Sequence, residues 1–331
     1  MRAIVVSDVS EYSVENVPDP VPRAGDVVVE VKASGLCGTD VHLVRGELTP
    51  LSYPFTPGHE VAGIVADVGG DPTAPREGSR VAVHPFIECG SCATCRAGRP
   101  NICAFPTMIG AGGRAGGCSE YIAVPARKVY PLGDLSFAAG VIAEPLACVV
   151  HALSRVVAPA ERVLVVGGGV SGSLFFDLLT ARDAPSVVVV DTAPGKRRAA
   201  TARGADAVYY SVDEAIEAHG ANFDLVVDAV GAPGIFERAV DAVAVGGDIL
   251  QFGIPGDQVR ASFSPGLLYR KEFRVIGCRG LGDDYPAAID YLREGAVDWA
   301  SLVEPPVGLD SFGPALEDVE TGRVQRSILA P

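Results

Sequence analysis

Val163-Leu164-Val165-Val166-Gly167-Gly168-Gly169-Val170-Ser171-Gly172 decides the fold of this chain. Four uncharged apolar residues read as a buried strand, and the apolar stretch Leu174 to Leu179 beyond them reads as a helix. The glycines therefore lie in the strand-to-helix turn where G-x-G-x-x-G cradles a dinucleotide. Gly167 permits the tight turn, Gly169 lets the backbone approach a pyrophosphate, and Gly172 allows close helix packing. Val170 opens the helix whose N-terminus meets the negative charge. A second strand, Val187 to Val190, runs into Asp191, at the offset of about 20 residues where an acid accepts both ribose hydroxyls. Asp191 also repels a 2′-phosphate, which favours NAD over NADP. Lys196, Arg197 and Arg198 follow; one of them could bind a phosphate instead, and Arg197 is counted with the cofactor-binding residues. Farther on, Asp228-Ala229-Val230-Gly231 and Phe252-Gly253-Ile254-Pro255 end two more strands on the side where a doubly wound sheet holds its ligand, which adds Val230 and Gly253.

Around this turn the texture is consistent. Apolar runs at Arg162 to Val166, Ser186 to Asp191, Ala207 to Tyr210, Phe223 to Asp228, Asp248 to Phe252 and Phe273 to Gly277 alternate with helical stretches, as buried parallel strands do. Before residue 145 the runs are shorter (Ile4 to Val6, Val27 to Val31, Ile64 to Ala66, Arg80 to Val83) and separated by Pro and Gly, the pattern of an irregular, mostly antiparallel β domain. After Gly277 come a helix from Asp284 to Arg293 and a tail ending in Ser327-Ile328-Leu329, too short for a domain and expected to pack back on the first one. The fold class is α/β. The expected domains are 1–145, a dinucleotide-binding domain at 146–277, and a return segment at 278–331; a length of 331 residues suits two cores better than one.

Hydrophobic residues make up 48% of the chain and charged residues 21%, so it folds. A formal charge of −14 repels phosphate backbones and anionic lipid, which argues against nucleic acid and membrane surfaces as partners. Asp8 interrupts the N-terminal apolar residues before a signal segment could form, and no apolar stretch approaches the ~20 residues of a spanning helix. The expectation is a cytoplasmic protein.

Four of the eight cysteines fall within fifteen positions, Cys89, Cys92, Cys95 and Cys103. Without an export signal such a cluster reads as a metal site, and four thiolates in one loop satisfy tetrahedral zinc, leaving it closed and structural in a lobe at about 86–105. Two further segments, Cys37-Gly38-Thr39-Asp40-Val41-His42 and Pro57-Gly58-His59-Glu60, offer donors for a second site assembled from distant residues.

Both segments, the four-cysteine lobe and the glycine fingerprint follow one another in an order and spacing that resembles the zinc-containing medium-chain dehydrogenase/reductase family of the alcohol dehydrogenase superfamily, over nearly the whole chain. The resemblance implies a GroES-like β domain beside a Rossmann domain and two zinc ions per chain. It implies Cys37 and His59 as catalytic zinc ligands, Glu60 as a further ligand or a close neighbour of one, and Asp40 as the carboxylate orienting His59. Where many alcohol dehydrogenases carry another cysteine, this chain has Ala143-Glu144-Pro145-Leu146-Ala147, which is similar to the polyol, sugar and threonine dehydrogenase branch. There Glu144 approaches the metal or its water, with Cys148 a lesser alternative, and a carboxylate in place of a thiolate makes the pocket more polar. Thr39 and His42 resemble the proton relay.

The implied reaction interconverts a secondary alcohol of a polyol, sugar, cyclitol or aminocyclitol and its ketone by hydride transfer to NAD, in a homodimer or homotetramer, with the loop Arg45 to Phe55 lining the pocket. A threonine or 2,3-butanediol dehydrogenase is the nearest alternative. A zinc-free quinone or enoyl reductase and a nonenzymatic NAD-binding protein on the same fold are more distant ones.

Overall fold

The valine-rich strands Arg162–Val166 and Ser186–Val190 lie inside a six-stranded parallel sheet, where both faces are covered and no polar alternation is needed. Across the sheet the order is Ala207–Tyr209, Ser186–Val190, Arg162–Val166, Phe223–Asp228, Val243–Gln251, Arg274–Gly277. Numbered along the chain this is 3-2-1-4-5-6, the doubly wound order that binds dinucleotides where the strand order reverses. Leu164, Val166, Val188, Val190, Val226 and Ile249 are buried in one cluster with Ala239 and Val240 of the helix Ile235–Ala242. Each such side chain contributes roughly 1.5–3 kcal/mol of burial free energy. The computed structural model describes residues 1–48, 52–69, 74–157, 160–182, 186–256 and 258–331, and the chain divides into two units, Met1–Ala147 with Leu281–Pro331, and Cys148–Gly280.

One strand of this sheet starts earlier than its apolar run suggests. Val243–Gln251 begins five residues before Asp248, because Gly246 and Gly247 continue the strand instead of breaking it. Gly246 has φ of +76°, and a Cβ on Gly247 would lie 2.9 Å from the Asp224 carbonyl oxygen, so only glycine lets the neighbouring strand pass. The pairing register slips at this point, between Phe223 and Leu225.

The first unit is built on an antiparallel sheet ordered Val129–Pro131, Arg80–Val83, Glu60–Asp67, Asp26–Leu36, Ser327–Leu329, with Tyr121–Pro125 also paired to Asp26–Leu36. Asp26–Leu36 is long enough, at 11 residues, to pair Tyr121–Pro125 along its first half and the C-terminal strand along its last three residues. The helix Tyr285–Arg293 is fastened to the same unit: the Tyr285 hydroxyl donates to the Val83 carbonyl at 2.8 Å, and its ring stacks on His84 at 5.1 Å. His84 is itself bound to the Gly282 carbonyl at 3.2 Å and accepts from the Phe86 N–H, a structural role.

The helix Phe137–Ser154 is, among the described residues, the one helix long and apolar enough to cross a membrane, and 72% of it is buried inside the protein. It carries Glu144 and, unusually for a helix interior, Pro145. In the loop from Arg45 to Phe55, Thr49, Pro50 and Leu51 lie outside the described residues.

Candidate metal centres and the dinucleotide turn

Cys37 is the N-cap of the short helix Gly38–Val44, so its sulfur faces the helix N-terminus and accepts the Thr39 N–H at 3.3 Å. The reciprocal half of the capping box is Asp40, whose Oδ2 accepts the Cys37 N–H at 3.0 Å. Its Oδ1 accepts the Gly58 N–H at 3.2 Å and lies 3.3 Å from His59 Nδ1. The far nitrogen of the same ring, Nε2, is then 3.3 Å from Cys37 Sγ. One fully buried carboxylate therefore ties a cysteine and a histidine 22 positions apart, each placed by its own backbone. Gly58 makes this approach possible: its φ is +97°, and a Cβ there would strike Ser34 Oγ at 2.6 Å and the Cys118 nitrogen at 2.8 Å.

Glu60 opens the strand Glu60–Asp67 directly after His59, and its carboxylate completes a group with Cys37 and His59 in which the ligand atoms lie within 4.8 Å of one another. Gly35 leaves it room, since a Cβ at 35 would sit 2.3 Å from Glu60 Oε2. The same oxygen is 3.2 Å from Nε of Arg326, a buried arginine that precedes the last strand. Glu144, also buried, stands outside that three-residue group, and its carboxyl feels the charges of His59, Glu60, Arg326 and Asp40.

The electrostatics follow from burial. Glu144 is pushed up to about 7, first by loss of water and then by the neighbouring carboxylates Glu60 and Asp40, against the pull of His59 and Arg326. Burial also raises Glu60, against Arg326 and His59. Asp40 lies below the ordinary carboxylate range: burial would raise it, but the His59 charge and the two backbone N–H bonds outweigh burial. His59 is held above its ordinary value because Cys37 and Asp40 outweigh its desolvation. Three carboxyls and a thiol thus share a dry pocket with one arginine and one imidazole. That donor set fits a divalent cation, and a sulfur at ~2.3 Å and a nitrogen at ~2.0 Å from one tetrahedral ion would lie about 3.5 Å apart, close to the separation found.

Thr39 and His42 occupy positions three apart on the helix Gly38–Val44 and share a face. The His42 side chain is 57% exposed, and its Nδ1 lies 2.5 Å from Oε2 of Glu47. Glu47 and Arg326 are the partners that sequence reading missed. Neither sits in a motif, and each is recognisable only once the chain has folded beside its partner.

The four cysteines of the lobe come together from a loop, the single-turn helix Ala93–Arg96 and the 3-10 turn Pro100–Ile102. Sulfur separations are 3.4 Å for Cys92 and Cys95, 3.9 Å for Cys92 and Cys103, and 4.0 Å for Cys89 and Cys95. Four sulfurs ~2.3 Å from one tetrahedral ion lie about 3.8 Å apart, so the set fits zinc. Backbone N–H groups of Cys89 and Phe105 each point at the Cys103 sulfur at 3.3 Å, and the backbone N–H groups of Ser91 and Cys92 hold the Cys89 thiol below its ordinary value, while burial pushes Cys95 up to about 12.

In the second unit the glycine turn is tight and closely packed. Gly167 has φ of +107°. A Cβ on Gly172 would lie 1.7 Å from the Gly167 carbonyl oxygen, so the helix Val170–Ala181 packs against its own turn only with glycine there. Gly169 is the N-cap, and a Cβ on it would meet nothing nearer than Lys196 Nζ at 3.9 Å. Space therefore remains over the helix N-terminus. Asp191 braces the turn, its Oδ2 accepting from Gly168 N–H at 2.8 Å and its Oδ1 from Ala193 N–H at 2.7 Å. Arg197 Nη1 donates to the carbonyls of Asp191 and Thr192 at 2.7 and 2.9 Å. Val230 is exposed next to this turn, and Gly253 lies against the loop that carries Val230.

Comparison with known proteins agrees with both units. Residues 23–134 match the family described as alcohol dehydrogenase GroES-like domain, and residues 169–294 the family described as zinc-binding dehydrogenase. D-altritol 5-dehydrogenase of Agrobacterium fabrum is 33% identical over 296 residues, which cover 88% of this chain and 87% of that protein. A zinc-binding dehydrogenase of Sinorhizobium meliloti, solved with NADP, superposes with a TM-score of 0.94 at 29% identity, covering 100% of this chain and 99% of the other. The alcohol dehydrogenase RspB of Escherichia coli, solved with NADH, gives a TM-score of 0.91 at 26% identity over 100% and 99% of the two chains. With a GroES-like β domain, a doubly wound Rossmann sheet and two clustered donor sets that fit zinc, the chain belongs to the zinc-containing medium-chain dehydrogenases of the alcohol dehydrogenase superfamily and is a zinc- and NAD(P)-dependent oxidoreductase.

Proposed function

We propose that this enzyme oxidises a secondary alcohol of a polyol, sugar, cyclitol or aminocyclitol to its ketone, and runs the reverse reduction, with NAD as the preferred dinucleotide. The observation that carries the reading is the buried group of Cys37, His59 and Glu60, with an excess of acidic groups and Glu144 within range of their charges. Cys37 and His59 hold the catalytic zinc, with the carboxylates of Glu60 and Glu144 completing its surroundings; Cys89, Cys92, Cys95 and Cys103 hold a second, structural one. Bound among these donors, zinc would supply Lewis acidity toward a substrate hydroxyl, and a bound nicotinamide would supply the acceptor for the hydride of the carbon that bears it. Asp40 fixes the His59 ring so that Nε2 faces the cysteine, and Arg326 keeps the Glu60 carboxylate from turning away. Thr39 and His42, on one helix face with His42 open to water and steadied by Glu47, carry the released proton outward.

Gly167, Gly169, Val170, Gly172, Val230 and Gly253 receive the dinucleotide, and each Asp191 oxygen keeps a second lone pair for ribose hydroxyls. The guanidinium of Arg197 is drawn toward backbone carbonyls, which supports NAD over NADP. Relatives named as acting on D-altritol, L-galactonate, sorbitol and L-idonate support the substrate class. The edge strand Arg274–Gly277, with Val275 exposed, supports a homodimer or homotetramer that joins two sheets. A chain with eight cysteines, four of them grouped in one metal-binding lobe, suits a reducing cytoplasm. The test is a panel of polyols, sugars, cyclitols, vicinal diols and 3-hydroxy amino acids with NAD and NADP, followed as absorbance of the reduced nicotinamide. Turnover of a polyol or cyclitol with NAD is expected. Turnover confined to threonine or butanediol would move the enzyme to that branch.

A further inference from the structure

Asp228 ends the strand Phe223–Asp228 with its side chain buried, and it joins two loops. Its Oδ1 accepts the N–H groups of Val230 and Gly231 at 2.9 and 2.8 Å. Its Oδ2 accepts from the side-chain amide of Gln251 at 2.8 Å, and that same nitrogen donates to the Gly253 carbonyl at 3.0 Å. The main-chain carbonyl of Asp228 takes the N–H groups of Phe252 and Gly253 at 3.0 and 2.7 Å. The loops that leave two adjacent strands are thereby stitched face to face. A Cβ on Gly253 would fall 2.3 Å from the Val230 carbonyl carbon and the Gly231 nitrogen, and one on Gly231 would fall 2.7 Å from the Gly253 carbonyl carbon. The joined loops in turn abut the glycine fingerprint. The Ala229 N–H donates to the Val166 carbonyl at 2.9 Å, and a Cβ on Gly167 would lie 2.7 Å from Val230 Cγ2.

Loop ends at the carboxyl edge of a parallel sheet are ordinarily among its more mobile parts, and ordering them on binding lowers affinity. Here the ordering is already made: a buried carboxylate with three N–H donors is a strong, directional knot, and hydrogen bonds to a charged group are worth more than neutral ones. We propose that Asp228 and Gln251 are positioning residues, which hold Val230, Gly231 and Gly253 against the glycine turn and so set the affinity for the dinucleotide without touching it. The proposal rests on the reading of that turn as the cofactor site. It predicts a split, in which loosening the knot weakens cofactor binding and leaves the zinc chemistry alone.

The test uses full-length, zinc-loaded enzyme, with NADH binding followed by fluorescence titration beside zinc content, melting temperature and steady-state kinetics. In Gln251→Glu two carboxylates face each other where a 2.8 Å hydrogen bond stood. NADH should bind about tenfold more weakly and KM for NAD should rise in step, while kcat at saturating cofactor stays within about twofold. Adding Asp228→Asn restores a donor-acceptor pair between positions 228 and 251 and keeps an oxygen for Val230 and Gly231, so the double variant should regain most of the lost affinity. Should Gln251→Glu fail to fold, Gln251→Met removes the donor without adding charge and should weaken NADH severalfold. Wild-type affinity in a folded Gln251 variant, or a lower melting temperature with unchanged NADH affinity, overturns the positioning role. So does a loss that Asp228→Asn leaves unrepaired. Failure of the wild-type protein itself to bind NADH or NADPH would instead overturn the cofactor site, and the proposal with it.

Discussion

The two donor clusters of the β unit solve the same coordination problem in opposite ways. Cys89, Cys92, Cys95 and Cys103 are neighbours in sequence, three of the four are not buried, and they lie in a lobe of two- and three-residue strands and single-turn helices. Cys37, His59 and Glu60 come from a helix cap and a strand start, are all buried, and are held by Asp40, Arg326 and glycines at 35 and 58 that leave them room. On the proposed assignment, a local, closed thiolate set with little core takes folding energy from its metal, and a dispersed set that the fold itself builds holds its metal for chemistry.

The largest expected effect tests the first half of that contrast. Cys103→Ser should cost the lobe its ion, which is worth on the order of 10 kcal/mol in isolated zinc modules. Protease cleavage within residues 86–105 and a large drop in melting temperature are expected; an uncleaved lobe would mean it folds without metal. Next, Cys37→Ser should lower kcat/KM by about a thousandfold or more, the several kcal/mol that Lewis-acid stabilisation supplies, yet leave the melting temperature within a few degrees. If it melts like Cys103→Ser, the buried cluster too is a folding site and the contrast fails. Thr39→Ala should lower kcat by about a hundredfold while zinc and NAD still bind, as for loss of a proton-transfer group; unchanged turnover removes Thr39 from the relay.

How much of this was legible beforehand follows the same division. The lobe could be read outright, because four ligands within fifteen positions need no tertiary structure to meet. Gly172 could be read for the same reason, its clash partner being five residues away at Gly167. Arg326 could not, since its burial against Glu60 depends on Ser327 pairing with Leu36 across almost the whole chain. Glu47 was equally silent: an acid five residues after a histidine is an everyday spacing, and only the turn after Val44 brings the two together. The early start of Val243–Gln251 was hidden by glycines that ordinarily punctuate strands and here continue one. The knot at Asp228 was half visible, as a strand end with no hint of its three donors.

Two smaller effects sharpen the comparison. Asp40→Asn should weaken metal binding at the buried cluster by about 10- to 100-fold, the usual consequence of losing the carboxylate behind a ligating histidine, and leave the lobe's zinc in place. Metal uptake at the buried cluster should also fall with acid. Glu144 is raised to about 7 by burial and by its carboxylate neighbours, so below that pH a proton competes with the cation. Affinity there should drop by up to about tenfold per pH unit as pH falls from 7 toward 5, and Glu144→Gln should flatten that slope. A slope unchanged in Glu144→Gln would take Glu144 out of the metal's surroundings.

Zinc counted per chain, in the wild-type protein and in Cys37→Ser side by side, tests the two-cluster account most directly. Two ions falling to one, with the fold intact, is the predicted result. One ion in both proteins would contradict it, because the buried donors would then hold no metal and the hydroxyl chemistry assigned to them would have no source.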